Sequence, residues 1–398
     1  MRVLLVAALC TVVAACGGTP PPAGSQRPSS VPTPAPVGAS LQKQPIVGLI
    51  DMQDISWHDV EGGEPTFTTT NVEQFPGLFG GIVINATWDQ MQPSGQGGPI
   101  VTTRVDAALA QVRAYNATFP ATPLGVKLRI YAGSSAPTWA QLIGEAQPIQ
   151  IQRNAGGCSS GNCPLTIGKF WDPSYIAAWR TFQAQVAAIY DDHPLIRQIA
   201  VTSCTSQTDE PFVPTSDATS KRNMKAAGYT DAAYQTCLSG ATTDYAAWRS
   251  TLVDYTFNTF VSMQVPSQGT SPAFTQTTMQ ACATNLGSRC VTDNHALSDP
   301  LNADDTIVYA TMPGLGVPVN FQTQAPRGFG CQWTAVIAQG IAVGAKAIEV
   351  WPEARYEGFD ALTVADVASL TAQFTAPIAV PAVPNPLPSG CTGFDPTS

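Results

Sequence analysis

The sequence predicts a (β/α)8 barrel, and two observations carry that prediction: the alternation of its elements and its length. Short apolar segments alternate with helical patterns about eight times between residues 45 and 375, which is typical of parallel strands joined by right-handed crossovers. This region is long for one core but common for a single barrel of this kind. A doubly wound open sheet is the alternative fold, although no GxGxxG or phosphate-loop pattern supports it.

The predicted strands are short apolar runs, and most of them end in polar residues. The fifth is poorly marked and is placed only near Val265. The other seven strands are predicted at residues 45–51, 80–85, 125–131, 196–201, 290–294, 317–322 and 345–351.

Helical patterns separate these strands. Residues 103–116 have apolar positions at helical spacing, and Thr103 is the predicted cap. Another helix begins with a capping Asp172 and a first-turn Pro173. Its predicted apolar stripe consists of Ile176, Trp179, Phe182, Val186 and Ile189. Further helices are predicted at 244–263, 332–342 and 364–374.

Residues 1–15 are interpreted as an export signal. A basic start precedes an apolar run that is too short to span a membrane as a stable helix. The small residues that end at Cys16 resemble the lipobox of bacterial lipoproteins. This resemblance implies that Cys16 becomes the N-terminus and carries acyl chains, of which a stable anchor needs more than one. An ordinary secretory signal is the alternative.

The chain after Cys16 divides into a tether, one large domain and a tail. Residues 16–44 are rich in Pro, Gly and Ser and cannot bury enough apolar surface to fold. Residues 45–375 form the predicted barrel domain, and residues 376–398 form a Pro-rich tail. We therefore expect a monomeric extracytoplasmic protein of the bacterial cell envelope that contacts the membrane only through its lipid anchor.

Composition excludes some partners and supports export. Charged residues make up only 12% of the chain and its net charge is −9, which argues against nucleic acid as a partner. Eight cysteines follow the signal region, and an even number in an exported chain suggests disulfides. A zinc site is the rival interpretation, but the chain lacks paired CxxC motifs and has only three histidines. The expected pairs are Cys158–Cys163, Cys204–Cys237, Cys282–Cys290 and Cys331–Cys391.

Polar and aromatic residues cluster at the predicted strand ends, where a barrel of this kind carries its function. Their types suit carbohydrate, because sugar C–H faces stack on Trp and sugar hydroxyls bond to carboxylates, amides and Arg. Glycosidic cleavage also needs two carboxyl groups across the scissile bond. The candidates for binding are Asp51, Asp54, Trp57, Asn85, Trp88, Arg129, Trp139, Asp209, Asn294, Gln322 and Trp351, and those for catalysis are Glu210 and Glu349.

Three motifs carry a more specific resemblance. They are Ala86-Thr87-Trp88-Asp89-Gln90-Met91-Gln92-Pro93, Asp209-Glu210-Pro211 and Ala347-Ile348-Glu349-Val350-Trp351. With them the chain resembles the TIM-barrel glycoside hydrolases of the clan that holds cellulases and β-galactosidases. The motifs are short, and the resemblance extends over most of residues 45–375.

The resemblance implies roles for particular residues. The clan's acid/base is a Glu at the end of strand four, and Glu210 matches it, although Asp209 stands where the clan has Asn. The clan's nucleophile is a Glu at the end of strand seven, where this chain has Gln322. An amide cannot act as that nucleophile, so this departure puts retaining catalysis in doubt.

Three assignments of the second carboxylate stay open. Glu349 on strand eight could face Glu210 across the pocket. Asp51 or Asp54 could be the base of an inverting pair, which needs a wider carboxyl separation. In the third, the barrel binds glycan without cleaving it. The leading hypothesis is a glycoside hydrolase-like barrel with Glu210 as general acid that acts on cell-envelope or environmental polysaccharide and needs neither metal nor organic cofactor.

Each candidate also has a purely structural alternative. Glu210 could cap a turn, and Glu349 could be a buried carboxylate that needs Arg129 or Lys127 as its partner. Trp88 and Trp139 could be packing residues. The Asp293-Asn294-His295 segment is interpreted as a loop at a strand end. A Ser-His-Asp esterase is a further rival class, but no GxSxG motif is present.

Overall fold

The computed structural model describes most of the predicted barrel domain. Its described residues are 42–53, 67–152, 164–214, 217–263, 269–298, 303–324, 333–351 and 372–374. Several predictions lie outside these ranges: the signal, Cys16, most of the tether, Asp54, Trp57, nearly all of the 364–374 helix and the tail. The four cysteines Cys158, Cys163, Cys331 and Cys391 also lie outside them.

Eight parallel strands close into a ring, which confirms the predicted fold class. Each strand pairs with its two neighbours in the sequence of barrel strands, and the eighth pairs with the first. The barrel strands are β1 (Gly48–Asp51), β2 (Phe79–Thr87), β3 (Gly125–Tyr131), β4 (Ile196–Ala200), β5 (Leu252–Thr256), β6 (Cys290–Asp293), β7 (Val319–Gln322) and β8 (Ala345–Val350).

Helices connect these strands on the outside of the ring. The described helices are α1 (Thr70–Glu73), α2 (Trp88–Met91), α3 (Thr103–Thr118), α4 (Thr138–Gln141), α5 (Pro173–Tyr190), α6 (Ala218–Ala226), α7 (Asp231–Gly240), α8 (Pro272–Leu286), α9 (Ala303–Thr311) and α10 (Trp333–Val343). Within the described ranges, none of them has the length and apolarity of a membrane span. An antiparallel hairpin of Ile149–Gln152 and Pro164–Ile167 lies between β3 and α5.

Two helix predictions need correction in detail. Thr103 is the first residue of α3 rather than its cap, and the preceding Thr102 makes no side-chain capping bond. The α5 helix begins as predicted, because the Asp172 side chain accepts a hydrogen bond from Ser174 N. Its buried face is rotated from the predicted stripe, since Ile189 is 47% exposed while the neighbouring Tyr190 is buried.

The predicted helix at 244–263 is wrong, because this segment contains β5. Tyr245, Trp248, Leu252 and Tyr255 are all buried, and their spacing imitates one face of a helix. In the structure Val253 and Tyr255 belong to the outer apolar core, whereas the alternating Asp254 and Thr256 are polar and contact Lys127 and His295 inside the barrel. The fifth strand is therefore not near Val265.

The apolar core has two parts. The larger part fills the space between the strands and the surrounding helices. A smaller, separate cluster of Ile46, Ile50, Val83 and Ala347 closes the barrel interior near its N-terminal end. Gly80 allows close packing there, because a Cβ at this position would lie 1.8 Å from the Val47 carbonyl oxygen.

Two of the predicted disulfides are confirmed. Cys204, directly after β4, is bonded to Cys237 of α7. Cys282 of α8 is bonded to Cys290, the first residue of β6. The first of these pairs fastens the start of the loop that carries Glu210, and the second lies at the opposite end of the barrel strands.

Candidate functional site

A charged layer fills the barrel above the apolar cluster, with Lys127 of β3 at its centre. The Lys127 Nζ atom lies 3.0 Å from Asp254 of β5, 2.8 Å from Asp293 of β6 and 3.2 Å from Glu349 of β8. Burial alone would lower the pKa of Lys127, but the three carboxylates raise it well above its usual range. Lys127 is therefore a permanent cation that joins four strands of the ring.

Asp254 and Asp293 share this cation, and their pKa values are shifted in opposite directions. Burial raises the pKa of Asp254, and the neighbouring Asp293 adds to that effect. Burial also acts on Asp293, but Lys127 and His295 hold its pKa well below the usual range. Asp254 also accepts a 2.7 Å hydrogen bond from the side-chain amide of Asn320. Of the two carboxyl groups, Asp254 is therefore the more readily protonated.

Arg129, two residues further along β3, forms the next layer. Its Nη2 atom donates to both carboxylate oxygens of Glu349 at 2.7 Å. Its Nε atom lies 2.6 Å from Asp209 Oδ2. Burial alone would raise the pKa of Asp209, but Arg129 and His295 hold it below the usual range. Arg129 therefore connects β8 to the loop after β4.

His295 lies at the mouth, just after β6, between two carboxylates. Its Nε2 atom is 3.2 Å from Asp293 Oδ2, and its Nδ1 atom is 3.7 Å from Asp209 Oδ1. The Thr256 hydroxyl lies 3.1 Å from Nε2. Burial by itself would lower the pKa of His295, but Asp209 and Asp293 outweigh it and raise the pKa to about 9. The imidazole is therefore a cation at neutral pH.

Glu210 occupies the loop after β4, beside this cation. Its Oε1 atom accepts a 2.9 Å hydrogen bond from Asn258 Nδ2, and the Thr208 hydroxyl lies 3.3 Å from Oε2. The residue as a whole is half-buried, yet burial of its carboxyl group raises the pKa of Glu210 to about 7, against the opposing effect of His295. Near neutral pH this carboxyl group can both hold and release a proton.

Hydrogen bonds join the turn after β6 to the turn after β5. Phe257 N donates to Asp293 O at 2.7 Å, and Asn294 Nδ2 donates to Phe257 O at 3.1 Å. His295 N donates to Asn258 Oδ1 at 2.8 Å. The two turns therefore form one unit, and that unit holds Asn258, which donates a hydrogen bond to Glu210.

The structure brings together several of the residues that the sequence suggested. Arg129, Asp209, Glu210 and Glu349 form one connected group through the contacts above. Asn294 is fully buried behind this group and accepts a hydrogen bond from the Tyr309 hydroxyl. The paired state of Glu349 agrees with the structural alternative for this residue, in which Arg129 or Lys127 compensates its burial.

Other predicted residues lie elsewhere around the mouth. Gln322 is the last residue of β7, and its backbone N–H donates to Asn294 O. Asp51 ends β1 and accepts a 2.6 Å hydrogen bond from Gln53 Nε2. Asn85 of β2 donates to Met52 O. Trp351, half-buried, directs its indole N–H to Thr323 O at 2.8 Å.

The two tryptophans after β2 and β3 form an aromatic cluster. Trp88 is fully buried and packs edge-on against Trp139, Tyr175 and Trp179. No face of Trp88 is available to a ligand, so it is a packing residue and the prediction that it stacks on sugar is wrong. Trp139 is partly exposed and donates to Gln92 O, which keeps it near the surface of the mouth.

Sequence reasoning missed three residues of β5 and the turn after it: Asp254, Thr256 and Asn258. The helix wrongly predicted for this segment concealed them. Their polar side chains recur at every second position, which is the period of a strand with one polar face. The sequence pattern also gives His295 too little weight, because it predicts only a loop at a strand end for the segment that contains this residue.

No metal centre is found in the part of the chain that the structure describes. Among those residues, no group of three or more His, Cys, Asp and Glu side chains is arranged to hold a metal ion. The carboxylates inside the barrel are instead neutralised by Lys127, Arg129 and His295.

Comparisons with known proteins give no family. No family model matches the chain, and no curated protein matches it. Solved structures with a similar backbone include endo-glycoceramidase II from Rhodococcus sp., with 14% identity and a TM-score of 0.48 over 78% of this chain and 75% of that chain. The catalytic domain of β-amylase from Paenibacillus polymyxa has 10% identity and a TM-score of 0.48 over 84% and 98% of the two chains.

A third similar structure is the tri-modular endo-β-1,4-glucanase B from Bacillus halodurans. It has 10% identity and a TM-score of 0.44, over 83% of this chain and 59% of that chain. The fold assignment rests on the closed ring of eight strands rather than on these likenesses.

The central position of Lys127 predicts an effect of its substitution on stability. Lys127→Met leaves three buried carboxylates without their shared partner, so we expect the free energy of unfolding to fall by about 3–5 kcal/mol. Lys169→Met is the matched control, since Lys169 pairs with Glu145 at the surface and its loss is expected to cost at most about 1 kcal/mol. Urea denaturation measures both. Equal losses in the two variants would contradict a central role for Lys127.

Proposed function

We propose that this chain is a glycoside hydrolase-like enzyme that cleaves an O-glycosidic bond with Glu210 as its general acid. One observation carries the proposal: a carboxyl group at the mouth of the barrel has its pKa raised to about 7 and accepts a directed hydrogen bond from Asn258. A general acid works best when its pKa is near the operating pH. Glycosidic cleavage needs such a group to protonate the leaving oxygen.

Glu349 is the proposed second carboxylate. It lies on β8, which stands opposite β4 in the ring because three strands separate them in either direction. Its contacts with Arg129 and Lys127 fix the position of its carboxyl group below the mouth. A second carboxyl group on the side of the barrel opposite Glu210 is the arrangement that glycosidic cleavage needs across the scissile bond.

The proposed substrate is a polysaccharide of the cell envelope or the environment. Trp139 and Trp351 are the partly exposed aromatic residues proposed to contact sugar faces, since each indole N–H is held by a backbone carbonyl. Asn85 and Gln322 are proposed to bind sugar hydroxyls from the neighbouring strand ends, whereas Asp51 is fully buried and is not proposed as a ligand.

A second candidate function is glycan binding without cleavage. Gln322 supports it, because this amide ends β7 where the clan that the sequence resembles has its nucleophilic Glu. In this case the barrel mouth would hold sugar through the same residues, and Glu210 would act as a hydrogen-bonding group.

Substitution of the two glutamates distinguishes these candidates. We expect the purified full-length chain to release sugar from one member of a polysaccharide panel, and Glu210→Gln to lower kcat by about 100-fold or more, the usual contribution of a general acid. Glu349→Gln should also lower kcat, whereas the surface control Glu145→Gln should not. Release that persists in Glu210→Gln would remove Glu210 from its role. Calorimetric binding without release in the unmodified chain would favour the second candidate.

The raised pKa of Glu210 predicts a pH dependence. A general acid must be protonated, and its protonated fraction falls as the pH rises through its pKa in the folded protein. We therefore expect kcat to decline above about pH 7, the pKa of Glu210. Initial rates across a buffer series of constant ionic strength measure this limb. A rate that stays constant into the alkaline range would contradict the assignment.

The proposed localisation is the bacterial cell envelope, where acyl chains on Cys16 would anchor the chain to the membrane. It rests on the resemblance of the residues before Cys16 to a lipobox, and it predicts fatty-acid labelling of the chain in a bacterial host. Cys16→Ser should abolish the label, while Cys10→Ser, a matched change within the apolar run, should retain it. The proposal would be contradicted if both variants carried the label, or if the parent chain and Cys10→Ser both lacked it.

A further inference from the structure

The side-chain amide of Asn258 has both of its polar atoms engaged. Its Oδ1 atom accepts from His295 N at 2.8 Å, and its Nδ2 atom donates to Glu210 Oε1 at 2.9 Å. Rotation of the amide by half a turn would direct an NH2 group at the N–H of His295 and remove the donor from Glu210. The backbone of the β6 turn therefore determines which end of this amide faces the acid.

The position of Asn258 is itself constrained. The residue before it, Phe257, donates its N–H to Asp293 O and accepts from Asn294 Nδ2. Asn258 is 4% exposed, so water has little access to compete for its amide. This amide is a preorganised donor, which needs no reorganisation to meet the carboxyl group.

We propose that Asn258 is a positioning residue for Glu210. The Asn258 amide occupies Oε1 of Glu210 and leaves Oε2 as the oxygen that carries the acidic proton. The catalytic meaning of this assignment rests on the function proposed above. The physical reason is that Oε1 already has a hydrogen atom directed at it. A proton on Oε1 would turn this hydrogen-bond acceptor into a hydroxyl, whereas a proton on Oε2 leaves Oε1 as a carbonyl acceptor.

The surroundings of Oε2 agree with this assignment. The Thr208 hydroxyl donates to Oε2 at 3.3 Å and accepts from Glu210 N at 3.2 Å. Its hydrogen atom can rotate away when Oε2 is protonated, whereas the Asn258 hydrogen atom directed at Oε1 is fixed. The charged groups that act on the carboxyl are His295 from the β6 turn and Asp209 from its own loop, and Arg129 of β3 pairs with Asp209. Asn258 adds a directed donor to this set without adding charge.

A direct titration of Glu210 tests the proposal without any substrate. The chain has only eight glutamates, so NMR of the full-length chain with 13C-labelled Glu side chains should resolve Glu210, and Glu210→Gln assigns its signal. Because the Asn258 amide stabilises the ionised carboxylate, Asn258→Ala should raise the titration midpoint. Asn258→Asp should raise it further, since it places a second carboxyl group beside the first.

Two features keep this test decisive. Asn258→Asp keeps the shape of the side chain and the acceptor for His295 N, so it serves if the alanine variant does not fold. Asn116→Ala is the matched control, because Asn116 also uses both amide atoms, in bonds to Leu124, but lies on α3 away from the mouth. It should lower thermal stability and leave the Glu210 midpoint unchanged. An unchanged or lowered midpoint in both Asn258 variants would overturn the proposal.

Infrared difference spectra locate the proton. The C=O band of protonated Glu210, identified by its loss in Glu210→Gln, should shift to higher frequency in Asn258→Ala, because its carbonyl oxygen Oε1 loses a donor. A band that does not move would place the proton on Oε1 and overturn the assignment. If these spectra behave as expected while no polysaccharide is cleaved, the proposed function fails and the positioning of the proton stands.

Discussion

The ammonium group of Lys127 lies inside a closed ring of strands, and carboxylates from three of those strands surround it. Each of these charges would cost several kcal/mol to bury alone, so the group is stable only when all its members are in place. A shift of one residue in the register of β5, β6 or β8 would turn its carboxylate to the outer face of the barrel. The charged layer therefore requires the register that the ladder hydrogen bonds also specify.

The geometry of the mouth follows from this layer. Asp293 contacts both Lys127 and His295, and Glu349 contacts both Lys127 and Arg129. The two upper cations in turn flank Asp209, next to Glu210 in the chain. The pKa of Glu210 is raised mainly because its carboxyl group is buried, and Asp209 adds to this effect while the His295 cation opposes it. Hydrogen bonds through Asn258 connect the turn after β6 to the Glu210 carboxyl group.

The largest error of the sequence interpretation concerns β5, and its cause is physical. A strand buried on its outer face against helices and lined with polar side chains inside lacks the apolar run that marked the other strands. Asp254 and Thr256 are polar because the barrel interior is charged at this level, which is a property of the assembled ring. The buried residues from Tyr245 to Tyr255 meanwhile recur at helical intervals by coincidence. Asn258 was missed for the same reason.

Apart from β5, the order of strands and helices and the parallel ring could be read from the sequence, because they depend on local periodicity and spacing. The same holds for the Cys204–Cys237 and Cys282–Cys290 pairs and for the positions of Glu210 and Glu349 near strand ends. Only the tertiary structure decided which of those side chains meet. Trp88 is a packing residue because helix α5 covers it, and Arg129 pairs with Glu349 because β3 and β8 face each other across the interior. The pKa of Glu210 is raised by burial of its carboxyl group and by Asp209, and it is opposed by His295, which is far from Glu210 in the chain. Such contacts join residues distant in sequence, and no local pattern encodes them.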